Sequence, residues 1–253
     1  MRRAGEGVGN IIRFNWHFYA GAAGVALALT AGLVLRADSA AWRLGLGLAL
    51  AAVLVPTVVS LLVSWYVYDL AGLYSFEWLD TGDAPPRQLV NIHAGFDESS
   101  ARLCQRFPAA QLRVLDFYDP TEHTEVSIRR ARAACPPYPG TEAVRPPALP
   151  LPAAATNLVV VLLAAHEIRR PAQRVAFLRE LGRVLAPGGR AVVVEHLRDP
   201  VNFLAYTIGF LHFYSRATWL SAFHQAGLRL RTEQKITPFI SVFVLENESA
   251  MMK

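Results

Sequence analysis

Two long stretches without a formal charge stand out in the first 70 residues, one from Trp16 to Leu35 and one from Leu44 to Tyr68. Each meets the roughly 20 residues that a helix needs to cross a bilayer. The polar connector RADSAAWR separates them, and Trp16, Phe18 and Tyr19 at one end with Trp65, Tyr66 and Tyr68 at another supply the aromatic flanks that membrane interfaces favour. The pattern predicts a transmembrane helical hairpin over residues 1–70, with spans at about 16–35 and 44–68. The first run is long for a cleaved signal, and a second span follows it at once, so both helices are expected in the mature protein. A buried hairpin inside a soluble fold is the alternative, but two uncharged runs of this length are rare in soluble cores. Arg2, Arg3 and Arg13 precede the first span against Arg36 and Arg43 in the connector. This weak positive-inside bias places both ends, and with them the rest of the chain, in the cytoplasm, at an inner or plasma membrane.

Beyond residue 70 the pattern changes. YDLAGLYSFEWLDTGDAPP has mixed polarity and ends in turn residues, as a membrane-surface linker over 71–86 would, leading to a domain over 87–253. Strand and helix signals then alternate. QLVNI reads as a strand, ESSARLCQRF as a helix, AQLRVLDF as a strand, and TEHTEVSIRRARAAC as an amphipathic helix opened by Thr121. A proline-rich loop surrounds a short strand near Glu142 to Val144. NLVVVLLA has the continuous apolar character of a central parallel strand. RRPAQRVAFLRELGRVL is a helix stopped by APGG, and RAVVVEHL is the next buried strand. PVNFLAYTIGFLHFY and ATWLSAFHQAGL read as helices, and RLRTEQKI with ISVFVLE as a terminal strand pair. The alternation predicts a doubly wound α/β sheet.

Composition narrows the function classes. Hydrophobic residues make up 53% of the 253 and charged ones 18%, with the apolar excess concentrated before residue 70. The net charge of +5 comes from arginines scattered among helices rather than grouped with aromatics, so no nucleic-acid partner is expected. The charge suits solubility and anionic lipid headgroups. Cys104 and Cys135 are far apart and lack metal-type spacing.

LRELGRVLAPGGRAVVVEHL resembles the helix, Pro-Gly-Gly turn and fifth strand of class I S-adenosylmethionine-dependent methyltransferases. FPAAQLRVLD is similar to that family's second strand ending in an acid, here Asp116, and ALPLPAAATNLVVV to the segment entering its fourth strand. The resemblance covers about residues 87 to 246 and is closest to the quinone and small-molecule methyltransferases. It implies a Rossmann-like seven-stranded methyltransferase sheet with ligands at the carboxyl ends of the strands. It also implies S-adenosylmethionine as cofactor, held by Asn91, His93, Gly95, Asp97, Asp116, Phe117 and Leu163. The family's glycine loop is degenerate here. Its acid and three glycines fall on Asn91, His93, Gly95 and Asp97, so only the middle glycine survives. The loop acid that contacts adenine in the family aligns with about Arg145, a second departure.

Three strand ends carry His93 with Asp97, His166 with Glu167, and Glu195 with His196. In the inferred sheet these strands are neighbours, so the groups converge on one crevice. His166 is the leading acid/base candidate, since imidazole titrates near working pH; Glu167 or Glu195 would orient it, and the catalytic assignment is His166, Glu167 and His196. Each is also explained as a strand-end side chain capping the next loop. Two histidines and a carboxylate form a ligand set for zinc or non-haem iron, but the spacing is no contiguous motif and no metal ligand is assigned. His212 and His224 read as packing or interfacial residues. NFLAYTIGFLHFYSR reads either as a buried helix or as one border of an apolar entrance. The expected function is a membrane-anchored methyltransferase for a lipophilic small molecule (quinone-like, phenolic or lipid). The alternative is a non-catalytic or metal-binding member of the fold that acts as a membrane interaction module.

Overall fold

The computed structural model describes residues 4–35, 39–79, 81 and 85–247. Arg2, Arg3 and Arg36 of the charge argument, and positions 80 and 82–84 of the expected linker, lie outside the described residues. A short helix absent from the sequence reading, α1 (Glu6–Phe14), precedes the two long apolar helices α2 (Trp16–Leu35) and α3 (Ala40–Trp65). The second apolar helix therefore starts four residues before the predicted Leu44. Ser39 explains the early start, because its hydroxyl accepts the Trp42 backbone N–H as a helix N-cap does. A π-helical turn, Tyr66–Leu70, continues the chain out of α3. Both long helices have the length and composition to cross a membrane, and no residue of α2 is buried.

Seven strands form one sheet. They are β1 (Gln88–His93), β2 (Gln111–Asp116), β3 (Glu142–Ala143), β4 (Thr156–Leu162), β5 (Leu185–His196), β6 (Leu228–Thr237) and β7 (Ile240–Asn247). Their order is β3-β2-β1-β4-β5-β7-β6, with β7 antiparallel to both of its neighbours and the others parallel. The helices α4 (Ser100–Arg106), α5 (Val126–Ala134), α6 (Pro171–Val184), α7 (Pro200–Tyr206) and α8 (Arg216–Gln225) make the connections. This is the doubly wound sheet expected from the alternation of elements, with the seven strands that the resemblance implies.

Successive side chains of a strand point to opposite faces, and β4 and β5 are apolar on both. Val159, Val161, Ala191 and Val193 join Phe177, Leu181, Trp219 and Phe223 of α6 and α8 in one core. Leu158, Val160, Val192 and Val194 form a second core on the opposite face, and there the covering residues come largely from the segment after α3: Val67, Leu73, Phe76 and Leu79. The stretch expected as a surface linker is thus packed against the sheet in this part, because its apolar residues fill the part of the face that Leu103 of α4 leaves uncovered.

Three other expectations need correction. The helix expected from Thr121 begins at Val126, because Asp119 accepts both the backbone and the hydroxyl hydrogen of Thr121 and locks residues 119–121 in a turn. The helix over PVNFLAYTIGFLHFY breaks at Thr207, whose φ of 50° ends α7, and continues as a 3₁₀ segment to His212. APGG lies within β5 rather than between helix and strand. Leu185 already pairs with Thr156, and the register then shifts. A Cβ on Gly189 would come 2.6 Å from the Thr156 carbonyl oxygen, so glycine is required at that bulge.

The fully buried Phe76 should act as the clamp between α3 and the sheet. Phe76→Ala is expected to cost about 3–5 kcal/mol, seen as a lower thermal unfolding midpoint of the full chain in detergent, whereas Leu204→Ala, at a position 72% exposed, should leave the midpoint unchanged.

Candidate active site

A cavity of about 230 Å³ opens at the carboxyl ends of β1 and β4. Its floor is His93, Ala94 and Phe96 after β1 and Leu162, Leu163 and Ala164 at the end of β4. Its roof is α1, through Asn10, Ile11 and Phe14, and its flanks are Ser127 and Ile128 of α5 with Tyr68, Tyr74, Glu98 and Glu167. Asp69 holds the roof in place: its carboxylate accepts the Gly7 and Val8 backbone N–H groups at 2.8 and 2.9 Å, satisfying the free donors of the helix N-terminus.

Of the residues expected to hold a cofactor, His93 and Leu163 line this cavity, and Asn91, Gly95, Asp97, Asp116 and Phe117 stand behind it. Asn91 is fully buried and donates to the hydroxyls of Ser99 and Ser100, both at 2.8 Å. Asp97 accepts the backbone N–H groups of the same two serines at 2.9 Å. Both side chains therefore fasten the loop to the start of α4. His93 accepts the Gly95 N–H on Nδ1 at 3.2 Å. Burial lowers its pKa, outweighing the attraction of Asp97 and Asp116, and so keeps the ring neutral. Its Nε2 and the Asp97 Oδ2, 4.0 Å apart, are both buried without a hydrogen-bond partner among the described residues.

Gly95 is required by its surroundings. Its φ is +92°, and a Cβ there would meet the Tyr118 ring and the Arg132 side chain at 2.9–3.0 Å. Arg132 of α5, which the sequence reading did not select, stacks on Tyr118 and forms a very short ion pair with Asp116. The acid at the end of β2 is thus partnered by an arginine and by the Tyr118 N–H at 2.9 Å. Leu163 holds φ 50°, an unfavourable region for a residue with a Cβ, at the point where the chain leaves β4 for the cavity floor. Arg145 is exposed, in a bridge with Ala148.

The polar groups expected to share one crevice separate into three. His93, Asp97 and Asp116 form the first. In the second, Glu195, fully buried on β5, accepts the His166 backbone N–H at 3.1 Å and pairs with its Nδ1 at 2.6 Å. His166 Nε2 faces Glu167 Oε1 at 3.2 Å. Burial alone would lower the His166 pKa, but the charge of Glu195 and the hydrogen bonds to both glutamates raise it to about 10. Burial likewise favours a neutral Glu167, yet His166 and His212 hold it far below the usual carboxylate range. His212 and Glu125 belong to this group too. The His212 Nδ1 lies 3.1 Å from Glu125 and its Nε2 3.3 Å from Glu167. The reading of His212 as a packing residue is therefore corrected, and no motif spacing links it to a glutamate 87 positions earlier. His224 is exposed on α8.

The third group centres on His196. Tyr68 donates to its Nε2 at 2.9 Å, and its Nδ1 lies 3.1 Å from both the Asn202 side-chain oxygen and the Phe239 carbonyl. Burial lowers its pKa to about 4. Both ring nitrogens are engaged, so His196 ties the end of α3 to the sheet and has none left for a substrate.

No protein-family model and no curated protein matches the sequence. The structure, by contrast, resembles solved methyltransferases. An O-methyltransferase family 2 protein from Planctomyces limnophilus, solved with apigenin, matches with a TM-score of 0.51 at 15% identity over 85% of this chain and 69% of that one. A geranyl diphosphate C-methyltransferase from Streptomyces coelicolor, solved with Mg²⁺, geranyl diphosphate and S-adenosyl-L-homocysteine, matches with a TM-score of 0.51 at 14% identity over 74% and 82%. A mitomycin 7-O-methyltransferase matches with a TM-score of 0.50 at 14% identity over 97% and 73%. The fold is that of the class I S-adenosylmethionine-dependent methyltransferases.

Gly95→Ala should destabilise the chain by about 1–2 kcal/mol from the positive φ alone, and push Tyr118 and Arg132 off Asp116. Chemical unfolding of the two proteins in detergent measures the first effect; a midpoint equal to wild type would mean that the loop tolerates a side chain.

Proposed function

We propose that the chain is a membrane-anchored methyltransferase that transfers a methyl group from S-adenosylmethionine to a lipophilic small molecule of the quinone-like, phenolic or lipid class, with its catalytic domain on the cytoplasmic side. The observation that carries this reading is the position of the cavity. It lies at the carboxyl edge of the sheet, where ligands bind in open α/β folds. Phe14 and Asn15 on its wall immediately precede α2, and Tyr68 lies on the π-helical turn that continues α3. With both helices in a bilayer, the cavity would sit at the membrane surface within reach of an acceptor dissolved in lipid. Phe203, Leu204, Ile208 and Leu211, all at least 47% exposed, would extend that apolar border.

The residues at the cofactor position suit the ligand. The space over Gly95 is filled by Tyr118 and Arg132, and the unpartnered His93 Nε2 and Asp97 Oδ2 are ready for a polar group. The Asp116 carboxylate has lone pairs beyond those it gives to Tyr118 and Arg132. At about 230 Å³ the cavity is smaller than the roughly 300–1,000 Å³ of small-molecule sites. Recognition of the ribose at Asp116 calls for Arg132, whose side chain is 37% exposed, to swing outward. When bound, S-adenosylmethionine supplies a methyl group already activated on its sulfonium. The protein then has to align the acceptor and exclude water. Glu167, on the cavity wall, would accept a hydrogen bond from an acceptor hydroxyl and orient it toward the methyl group, with His166 and the buried Glu195 holding Glu167 in position.

The Arg132–Asp116 pair also favours a second reading, in which the cofactor position is permanently closed and the chain is a non-catalytic interaction module. Calorimetric titration with S-adenosylmethionine separates the two. The full chain in detergent should bind, and Arg132→Ala should bind about tenfold more tightly or better, since one charge-assisted hydrogen bond of about 1.5–3 kcal/mol no longer has to be broken. Failure of both folded proteins to bind would leave only the non-catalytic reading.

A further inference from the structure

We propose that His166, His212 and Glu167 form a binding site for a first-row divalent cation of the zinc type. The three residues come from two parts of the chain. His166 and Glu167 lie on the 3₁₀ turn Ala165–Glu167 after β4, and His212 ends the 3₁₀ segment that follows α7. The topology brings one potential ligand atom from each within 4.8 Å of the other two.

The arrangement has the features of a site built for a cation. Glu167 Oε1 lies 3.2 Å from His166 Nε2 and 3.3 Å from His212 Nε2. Tetrahedral ligands held at roughly 2.0–2.1 Å from zinc stand about 3.3 Å from one another, so both spacings match two edges of such a site. Each imidazole also has its other nitrogen on a separate carboxylate, His166 Nδ1 on Glu195 at 2.6 Å and His212 Nδ1 on Glu125 at 3.1 Å. This carboxylate–histidine pairing fixes the tautomer that leaves Nε2 free for a metal and makes it a better ligand. Two separate histidines supported in this way, both turned toward one glutamate, are more than strand-end capping requires. The two rings are T-shaped with centroids 5.1 Å apart, an angle that turns their edges toward a common point.

Charge supports the same conclusion. Glu125, Glu167 and Glu195 face this cluster with Arg169 as its one permanent cation among the described residues. The two imidazoles paired with these carboxylates balance the remaining two negative charges, and a divalent ion would take over that role. The Arg169 guanidinium lies against the His212 ring and donates to the His212 carbonyl at 2.7 Å, so it competes with the ion for this place. Its side chain is 38% exposed and free to turn outward. Two imidazoles and one carboxylate leave a fourth position for a water or a ligand oxygen. Glu167 borders the cavity, which gives that position its access.

The test uses the full-length protein in detergent, stripped with a chelator and titrated with zinc alone, and then with cobalt, whose visible spectrum reports coordination. One equivalent should bind, and cobalt should give the spectrum of a four-coordinate nitrogen–oxygen site. His212→Ala, at a partly exposed position away from the core, should abolish the site while the protein stays folded. Glu125→Gln and Glu195→Gln should each weaken binding by about 10–100-fold, and Arg169→Ala should strengthen it. Absence of stoichiometric binding, or binding unchanged in His212→Ala, overturns the proposal. None of these readouts involves S-adenosylmethionine, so failure here is distinct from failure of the methyltransferase reading.

Discussion

The carboxyl edge of the sheet depends on the burial of the segment that leaves α3. Val67, Leu73 and Phe76 are at most 1% exposed, packed on the face formed by Leu158, Val160, Val192 and Val194. Each such side chain contributes about 1.5–3 kcal/mol by leaving water, and together they fasten α3, which otherwise packs along α2, to the rigid centre of the sheet. The consequence reaches the cavity through one residue. Asp69 lies between the buried Val67 and Leu73 and caps α1 from there, so the helix roofing the cavity takes its position from the same burial. Tyr68 adds a hydrogen bond to His196 on β5. The long apolar helices and the sheet edge are therefore mechanically one unit.

Two polar clusters lie close together on this edge and solve their electrostatics differently. At the end of β2, Asp116 is neutralised by Arg132, an exposed residue that reaches in from a surface helix. At the end of β4, Glu195 is neutralised by His166, both side chains are buried, and His166 in turn faces Glu167. Burying a charge costs several kcal/mol unless it is paired. The first arrangement is released by one side chain swinging out. The second cannot be released without changing the charge of the cluster, by protons or by a cation. That difference separates a position where a ligand would enter from one where charge is held.

The fold was legible because its signals are periodic. Buried parallel strands with continuous apolar runs, a terminal alternating pair and two uncharged stretches each leave a pattern of local sequence, and the seven-stranded sheet is what the resemblance adds to them. The misreadings share a physical origin. Thr121 has the sequence setting of a helix cap, but it donates its N–H and hydroxyl to Asp119 two residues earlier, and that turn pre-empts the role. The segment after α3 has the sequence pattern of a surface linker because its apolar residues have neither helical nor strand period; the part of the sheet face that α4 leaves uncovered explains their burial. At the site, His166, Glu167 and Glu195 were visible as strand-end residues. Arg132, Glu125 and His212 were not, since each sits on an otherwise ordinary helix or turn and its partner lies 16 to 87 positions away. Side-chain convergence across elements leaves no spacing to read.

The break at Thr207 shows how one local irregularity serves both surfaces. A continuous α-helix through PVNFLAYTIGFLHFY would have advanced its side chains by 3.6 residues per turn. The positive φ of Thr207 ends that helix and starts a 3₁₀ segment, in which residues three apart share a face. Ile208 and Leu211 accordingly point together to the outside, 79% and 55% exposed, while His212, one residue on, is turned a third of a revolution away toward Glu125 and Glu167. The backbone strain at Thr207, on the order of 1–3 kcal/mol, is what allows six residues to present an apolar edge outward and an imidazole inward. On the membrane reading, the apolar edge that meets the bilayer and the histidine that completes the polar cluster move as one segment, so lipid contact and the geometry around Glu167 are coupled.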